Sequence, residues 1–338
     1  MKKALVVGLL ASSLAVLIGA APVTAKVRIK LATILPENSP QFKLLEGLAE
    51  QWKQISGGEV DLVLYGGGVQ GDESDVIRKM RIGQLQAGAL SVNGLTDLVD
   101  EFSLFEIPLF FENWDEFNHV LADLTPTFQQ KFDEAGYVWL TWGHVGWVHF
   151  FTTTEVERLD DLRKLKVFTW AGNEAMVQWW KANGFKPVAL PYTDAVQGLK
   201  TGMIETMIAP PLIAAQMGFF EDAPYMIDVG LTPLIGAFLV QKRTWDKIDS
   251  AYRDRLLTSA QAVGKKLEGQ TIFLEETSIN VMKNNGLKVL AIRDSEHSKE
   301  WLDAALKFAD QMRGGMVDAQ IFDQAKRSRD AFRKANAE

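Results

Sequence analysis

Cysteine is absent from the 338-residue sequence, and histidine occurs only four times. Without cysteine there is no disulfide framework and no thiol chemistry, so stability has to come from burial of an apolar core. Only His144 and His149 are close enough in sequence to suggest a shared metal ion. They fall on a strand-like segment, where residues five apart face opposite sides. We therefore predict no metal site and no cofactor.

Signatures of catalysis are also missing. There is no G-x-S-x-G elbow, no H-E-x-x-H pair and no evident pairing of a nucleophile with a base. The glycine-rich run 66–71 lacks the Gly-Lys-Ser/Thr of a phosphate loop, and the following Asp72 and Glu73 would repel phosphate. We interpret it as a turn from a strand to a helix that needs positive φ. The sequence predicts a protein that is not an enzyme, with a hydrolase as a remote alternative.

Basic residues are in deficit, with 36 Lys and Arg against 43 Asp and Glu, for a net charge of −7. An acidic chain without a basic stripe argues against nucleic acid as a partner.

Beyond the N-terminus, no apolar run approaches the ~20 residues that span a bilayer. Residues 1–25 have the positive start, apolar stretch and small-residue end of a secretory signal peptide. We expect cleavage after Ala25 and a periplasmic protein; the alternative is an uncleaved membrane anchor.

Helical and strand-like periodicities alternate along the rest of the chain. A strand at Lys26–Ile34 is followed by a helix that Ser39 caps and Pro40 opens, and a second strand spans Val60–Tyr65. A second alternating set begins near Leu162, and the region after residue 245 is chiefly helical. This order predicts an α/β protein with two lobes, each with a helix-covered sheet.

Tryptophan is concentrated where the second set begins. Six of the ten tryptophans lie between residues 139 and 180. For Trp179 and Trp180, on a predicted helix, we interpret the pattern as core packing. For Trp147 and Trp170 we leave two readings open, core packing or the wall of an aromatic cleft, because ligand sites between domains are mainly apolar.

A series of short motifs resembles the DctP-like solute-binding proteins of TRAP-type transporters, from Val27 to about Phe332. These motifs occur in the order found in that family: Gly66–Gly71, Arg81–Leu85, Pro108–Phe111, Asp161–Val167, Gly184–Val188, Leu199–Glu205 and Thr244–Ile248. The resemblance implies a two-lobe, type II periplasmic-binding-protein fold with hinge crossovers and a long C-terminal helix. It also implies a solute-binding subunit that captures a small molecule and delivers it to the membrane permease.

The implied domain division has a first lobe of residues 26–144 plus 235–273. The second lobe, with the C-terminal helices, comprises 145–234 plus 274–338. The crossovers are expected near His144–Trp147 and Leu234–Ala237, and the long helix is expected to brace both lobes.

The sequence departs from the family where a carboxylate ligand is usually bound. Phe168 stands at the position of the family's carboxylate-binding arginine, and Val148 and Ala209 replace two further polar residues, whereas the aromatic Tyr192 is retained. A buried carboxylate needs a cation of good geometry to compensate for lost solvation. Strand alternation puts Phe168 and Trp170 on one face. We therefore expect an aromatic-lined cleft and a rather hydrophobic solute.

The predicted ligand-binding residues are Asn93, Trp147, Phe168, Trp170, Tyr192, Ala209 and Pro210. One alternative is a protein for organic acids that uses another cation, with Lys166 as a candidate. A second is a secreted sensory or structural subunit whose cleft no longer binds a solute. Resemblance to atypical members without the arginine adds a helical-repeat periplasmic protein as a possible partner.

Overall fold

The computed structural model describes residues 26–293 and 295–336. The predicted signal peptide lies outside these residues. The strands are β1 (Val27–Ala32), β2 (Val60–Tyr65), β3 (Ala87–Ser91), β4 (Tyr137–Trp147), β5 (His149–Thr152), β6 (Lys166–Trp170), β7 (Lys186–Leu190), β8 (Thr206–Ala209), β9 (Tyr225–Ile227), β10 (Pro233–Gln241) and β11 (Lys288–Leu290).

Helices cover both faces of the sheets that these strands form. They are α1 (Pro40–Ile55), α2 (Glu73–Arg81), α3 (Val92–Thr96), α4 (Trp114–Glu134), α5 (Leu159–Lys164), α6 (Glu174–Ala182), α7 (Ala195–Lys200), α8 (Pro211–Met217), α9 (Phe219–Asp222), α10 (Lys242–Trp245), α11 (Ser250–Asn284), α12 (Ser298–Met312) and α13 (Ala319–Ala335). Two 3-10 segments, Asp100–Glu106 and Tyr192–Asp194, complete the elements. No described helix is both long and apolar enough to cross a bilayer.

The strands form two sheets, which confirms the predicted two-lobe α/β architecture. The first sheet has the order β2-β1-β3-β10-β4, and the second has the order β11-β9-β5-β8-β6-β7. In each sheet one strand runs against its neighbours: β10 in the first and β5 in the second. These are the two strands that enter their sheet directly from the other one.

The chain crosses between the sheets at Val148, between β4 and β5, and again in the segment 228–232 before β10. The first crossing directly follows the predicted crossover. The second precedes the position Leu234–Ala237 that the resemblance implied, which lies inside β10.

Local signals explain where the first helix begins. The Ser39 hydroxyl accepts a hydrogen bond from the Phe42 N–H at 3.1 Å, and Pro40 occupies the first helical position. The helix buries Phe42, Leu48 and Trp52, and the Trp52 indole donates to the Leu256 carbonyl of α11 at 3.2 Å. The cap and the apolar stripe thus also dock α1 on the long helix.

Helix α11 is 35 residues long and contacts α1, β4 and α8, so it touches elements associated with both sheets, as predicted. Its close approach to β4 depends on Gly264, where an added Cβ would lie 1.9 Å from the Thr141 hydroxyl oxygen. Further along, the Thr271 hydroxyl donates to the His144 carbonyl at 2.9 Å. The helix is therefore fastened to the strand that leads into the hinge.

The last helix, α13, packs against α4. Arg333 of α13 donates to both carboxylate oxygens of Glu116, at 2.7 and 2.9 Å. The sequence-based division assigned residues 274–338 to the second lobe, whereas α4 belongs to the part assigned to the first. The domain boundaries remain a prediction in which α13 fits better with the first lobe.

Candidate ligand-binding site

A cavity of about 210 Å³ lies between the two sheets and extends beside the second one. Its walls come from the loop after β1, the ends of β3, β6 and β8, the segment 105–109, and helices α6, α8 and α12. Most of the side chains around it are aromatic or aliphatic. A space of this kind between lobes is the usual location of a small-molecule site.

Three aromatic residues form one wall of the cavity. Trp170 and Tyr192 stack with their ring centroids 4.7 Å apart and an interplanar angle of 13°. Phe168 packs edge-on against both rings and is only 1% exposed. Phe168 and Trp170 belong to the same face of β6, as strand alternation predicted, and Val167 packs on the other face.

Five of the seven predicted ligand-binding residues line this cavity: Phe168, Trp170, Tyr192, Ala209 and Pro210. Their role in binding stays a prediction, but the structure does bring them together. Val148, which the resemblance places at the position of a second family arginine, lines the cavity too. The positions at which the resemblance implies polar groups therefore carry apolar side chains at this cavity.

The other two predicted residues lie outside the cavity lining. Trp147 packs edge-on against Trp114, at 5.4 Å between centroids, and its ring fills the space that a Cβ at Gly230 would need. Asn93 is buried at the start of α3, although its neighbours Ser91 and Val92 reach the cavity. Trp147 is the last residue of β4, next to the crossing at Val148, and its ring packs in the hinge core against Trp114 and Gly230.

The described residues around the cavity include no lysine and no arginine. Lys166, the candidate replacement cation, is directed elsewhere: its ammonium donates to the Gly202 carbonyl in an exposed position. The cavity therefore lacks the charge that would compensate a buried carboxylate.

Two carboxyl groups line the cavity instead, and sequence reasoning missed both as site residues. Glu73, at the start of α2, accepts hydrogen bonds from the Ser91 N–H at 2.7 Å, the Ser91 hydroxyl at 2.6 Å and the Gly94 N–H at 2.9 Å. Burial nevertheless raises its pKa to about 7. Glu73 is thus held by three donors from β3 and α3.

Glu106 is less well satisfied. It is the last residue of the 3-10 segment Asp100–Glu106 and accepts from the Asn173 amide of the second lobe at the long distance of 3.5 Å. Burial raises its pKa to about 7 as well. A carboxylate inside the apolar stretch Phe102–Phe111 was the available signal, because a charge within such a run is unusual unless it has a specific role.

Contacts between the lobes close over this cavity. The Asp72 carboxylate caps α2 by accepting from the Glu73 N–H, and its second oxygen accepts from the Tyr192 N–H across the cleft, both at 2.9 Å. The Gln216 amide of α8 donates to the Gln41 amide oxygen of α1 at 3.3 Å. The amide nitrogen of Gln41 itself is buried and has no partner among the described residues.

The histidine pair considered from the sequence is divided by the hinge. His144 lies 2.9 Å from the Asn118 amide oxygen, and burial lowers its pKa to about 4. His149 lies 2.9 Å from the Ile227 carbonyl. Among the described residues no cluster of three or more potential metal ligands occurs.

A two-lobed fold with a mainly apolar cavity between the lobes is typical of solute-binding proteins. Residues 31–313 match the family described as bacterial extracellular solute-binding protein, family 7. The chain belongs to this family, and the suggested resemblance is confirmed.

Relatives are distant in sequence but similar over most of their length. A solute-binding protein of Chromohalobacter salexigens is 24% identical over 77% of this chain and 78% of its own. The C4-dicarboxylate-binding periplasmic protein of Rhodobacter capsulatus is 21% identical over 90% and 92%. A TRAP periplasmic solute-binding protein of Ralstonia eutropha with bound (S)-2-acetolactate is 20% identical over 90% of this chain and 99% of its own, with a TM-score of 0.83. At this identity the structural likeness establishes the fold.

Proposed function

We propose that this protein is the extracytoplasmic receptor of a TRAP transporter for an uncharged, rather hydrophobic solute, which it delivers to the membrane permease without chemical change. The proposal includes secretion to the periplasm after loss of residues 1–25. A helical-repeat periplasmic partner remains part of it on the resemblance alone.

The observation that carries the proposal is the composition of the cavity wall. Phe168, which on the resemblance stands at the family's arginine position, lines the cavity, and no lysine or arginine is among the described residues around it. A carboxylate moved into this space would lose several kcal/mol of solvation without an ion pair to replace it. Glu73 and Glu106, when ionised, would repel it further.

Apolar burial alone supplies enough binding energy. At ~25 cal/mol per Å², each ~100 Å² of apolar surface removed from water contributes about 2.5 kcal/mol. Micromolar binding requires about 8 kcal/mol, so a solute that buries several hundred Å² needs no ion pair.

The competing function is the binding of an organic acid, which the printed descriptions of several relatives favour. Calorimetric titration with succinate, malate and pyruvate separates the two. We expect no measurable binding of any of them. Tight binding of one acid would overturn the proposal. Mass spectrometry of the purified protein should in turn reveal an uncharged co-purified solute.

A substitution at Phe168 tests the same point. We expect Phe168→Arg to weaken binding of the co-purified solute by well over tenfold, because a charged guanidinium would replace part of the apolar wall that the solute contacts. Phe168→Leu is the matched control and should cost much less, since it keeps the wall apolar. Equal affinities of wild type and Phe168→Arg would show that the solute does not contact this wall.

A further inference from the structure

The cavity does not end at the aromatic wall of the cleft. Phe168 packs in the core on one face of the second sheet, whereas Phe150 of β5 packs in the core on the opposite face. Both line the same cavity. The cavity therefore has a front compartment between the lobes and a second compartment behind the sheet, which we call the rear chamber.

The rear chamber lies between β5, α6 and α12. Its aromatic walls are Phe150, Trp179, Trp180, Phe185, Trp301 and Phe308. The rings pack on one another: Trp180 and Phe185 lie 4.7 Å apart between centroids, and Trp179 and Phe308 4.8 Å. Ala304 and Ala305 of α12 also line the chamber, and their short side chains leave space between the rings.

Two polar atoms of these walls have no partner. The indole nitrogens of Trp179 and Trp301 are buried, with the side chains 8% and 5% exposed, and no described residue accepts from either. A buried N–H group without an acceptor is destabilising, so such groups are rare unless something else satisfies them. An oxygen atom of a bound molecule is an acceptor that could do so.

The junction of the two compartments is formed by the segment Glu106–Leu109. Leu109 has a φ of 54°, and its N–H donates to the Leu231 carbonyl at 2.5 Å. A left-handed conformation is unfavourable for leucine and persists only where the surroundings impose it. This geometry holds the segment against the second crossing, and Glu106, Pro108 and Leu109 line the cavity there.

We propose that the rear chamber is a second compartment of the ligand site and takes the apolar chain of an elongated, uncharged, oxygen-bearing solute. This inference rests on the proposed function and names the shape of its solute. A compact solute would fill the front compartment alone. An elongated one would also occupy the chamber and satisfy an indole N–H group there.

Straight-chain alcohols test the chamber directly. The protein is titrated with 1-butanol, 1-hexanol, 1-octanol and 1-decanol, and with cyclohexanol as a compact probe, by calorimetry or tryptophan fluorescence. We expect Kd to fall about fourfold for each methylene group added up to octanol, because each is buried in the chamber. Cyclohexanol should bind more weakly than octanol.

A variant that fills the chamber provides the second arm. Ala305→Phe should raise the Kd of octanol by at least tenfold and leave that of cyclohexanol unchanged. Leu302→Phe is the matched control on the same helix, since Leu302 is 51% exposed and should change neither value. Ala304→Leu, a smaller change, keeps the test valid if Ala305→Phe does not fold.

The outcomes separate this inference from the proposed function. If cyclohexanol binds but Kd does not depend on chain length, or Ala305→Phe and Ala304→Leu leave octanol unaffected, the rear chamber is only core packing. If no alcohol binds while an organic acid does, the proposed function fails and this inference with it.

Discussion

The front compartment and the rear chamber are both aromatic, but they are assembled differently. The front wall of Phe168, Trp170 and Tyr192 faces residues of the other lobe, and Asp72 holds Tyr192 across the cleft. The rear chamber is built mainly from β5, α6 and α12, which lie on one side of the hinge. The front compartment is complete only when the lobes meet, whereas the rear chamber can form within one lobe.

This difference assigns different tasks to the two compartments. A space that exists before closure can admit an apolar group while the front is still open. The front then closes over the remainder of the solute, and hinge motion is the general mechanism of such receptors. Variants that change one compartment and leave the other unchanged test whether the two compartments have these separate tasks.

The largest expected effect concerns Glu106, at the junction of the compartments. Its pKa is about 7 in the folded protein against an ordinary value of 4.5. A carboxyl group with a raised folded pKa contributes stability that is fully present below pH 4.5 and is lost as the pH rises through 7. This loss is on the order of 3 kcal/mol at most.

Glu106→Gln should remove this pH-dependent contribution to the free energy of unfolding. We expect the free energy of unfolding, measured in urea between pH 4.5 and 8, to fall less steeply with pH in the variant than in wild type. Glu46→Gln, on the exposed side of α1, is the control and should follow wild type. Parallel curves for Glu106→Gln and wild type would show that the Glu106 carboxyl is not buried as described.

The next effect concerns the helix that aligns the lobes. In Gly264→Ala the new methyl group would meet the Thr141 hydroxyl, and overpacking of this kind costs about 1–3 kcal/mol. In Gly269→Ala, on the same helix, nothing lies within 4 Å, and the gain in helix propensity should stabilise the protein by about 0.5–1 kcal/mol.

Thermal unfolding of both variants checks this pair. We also expect Gly264→Ala to disturb the packing of the front compartment, because α11 contacts β4 at the approach to the hinge. Opposite signs of the two shifts in Tm are expected, and a stabilised Gly264→Ala would contradict the close packing of α11 on β4.

The smallest effect isolates closure of the front compartment. In Asp72→Asn the amide oxygen can still cap α2, but the amide nitrogen cannot accept from the Tyr192 N–H. We expect solute affinity to fall by about fivefold, which corresponds to one hydrogen bond of about 1 kcal/mol, with little change in Tm.

Asp72→Ala serves as the comparison for this variant. It removes the cap as well and should also lower the free energy of unfolding by about 1 kcal/mol. If Asp72→Asn bound as tightly as wild type, the contact between Asp72 and Tyr192 would not contribute to closure.

Much of the fold was readable because its signals are local. Strand β2 has the predicted bounds, and Ser39 and Pro40 mark the start of α1 as their capping chemistry requires. The two alternating sets of periodicities indicated two lobes, and the family resemblance then supplied the hinge crossovers between them. The second crossing lies in the segment 228–232, several residues before the position that the resemblance implied.

The site was harder to predict because it depends on packing between distant segments. Phe168 and Tyr192 were found through their positions in the family motifs. Trp179 and Trp180 were correctly expected to be buried, but periodicity cannot tell a tightly filled face from one that borders a space. Glu106 depends on Asn173, 67 residues away, and no pattern along the chain connects them.

Helix α11 has a mechanical consequence for the whole molecule. At about 1.5 Å per residue, its 35 residues make a rod of about 50 Å that is clamped along β4 and touches α1 and α8. Long helices bend gently at little cost when the curvature is spread over many turns. A gentle bend of this helix would let the cleft open while its contacts with β4, α1 and α8 are kept.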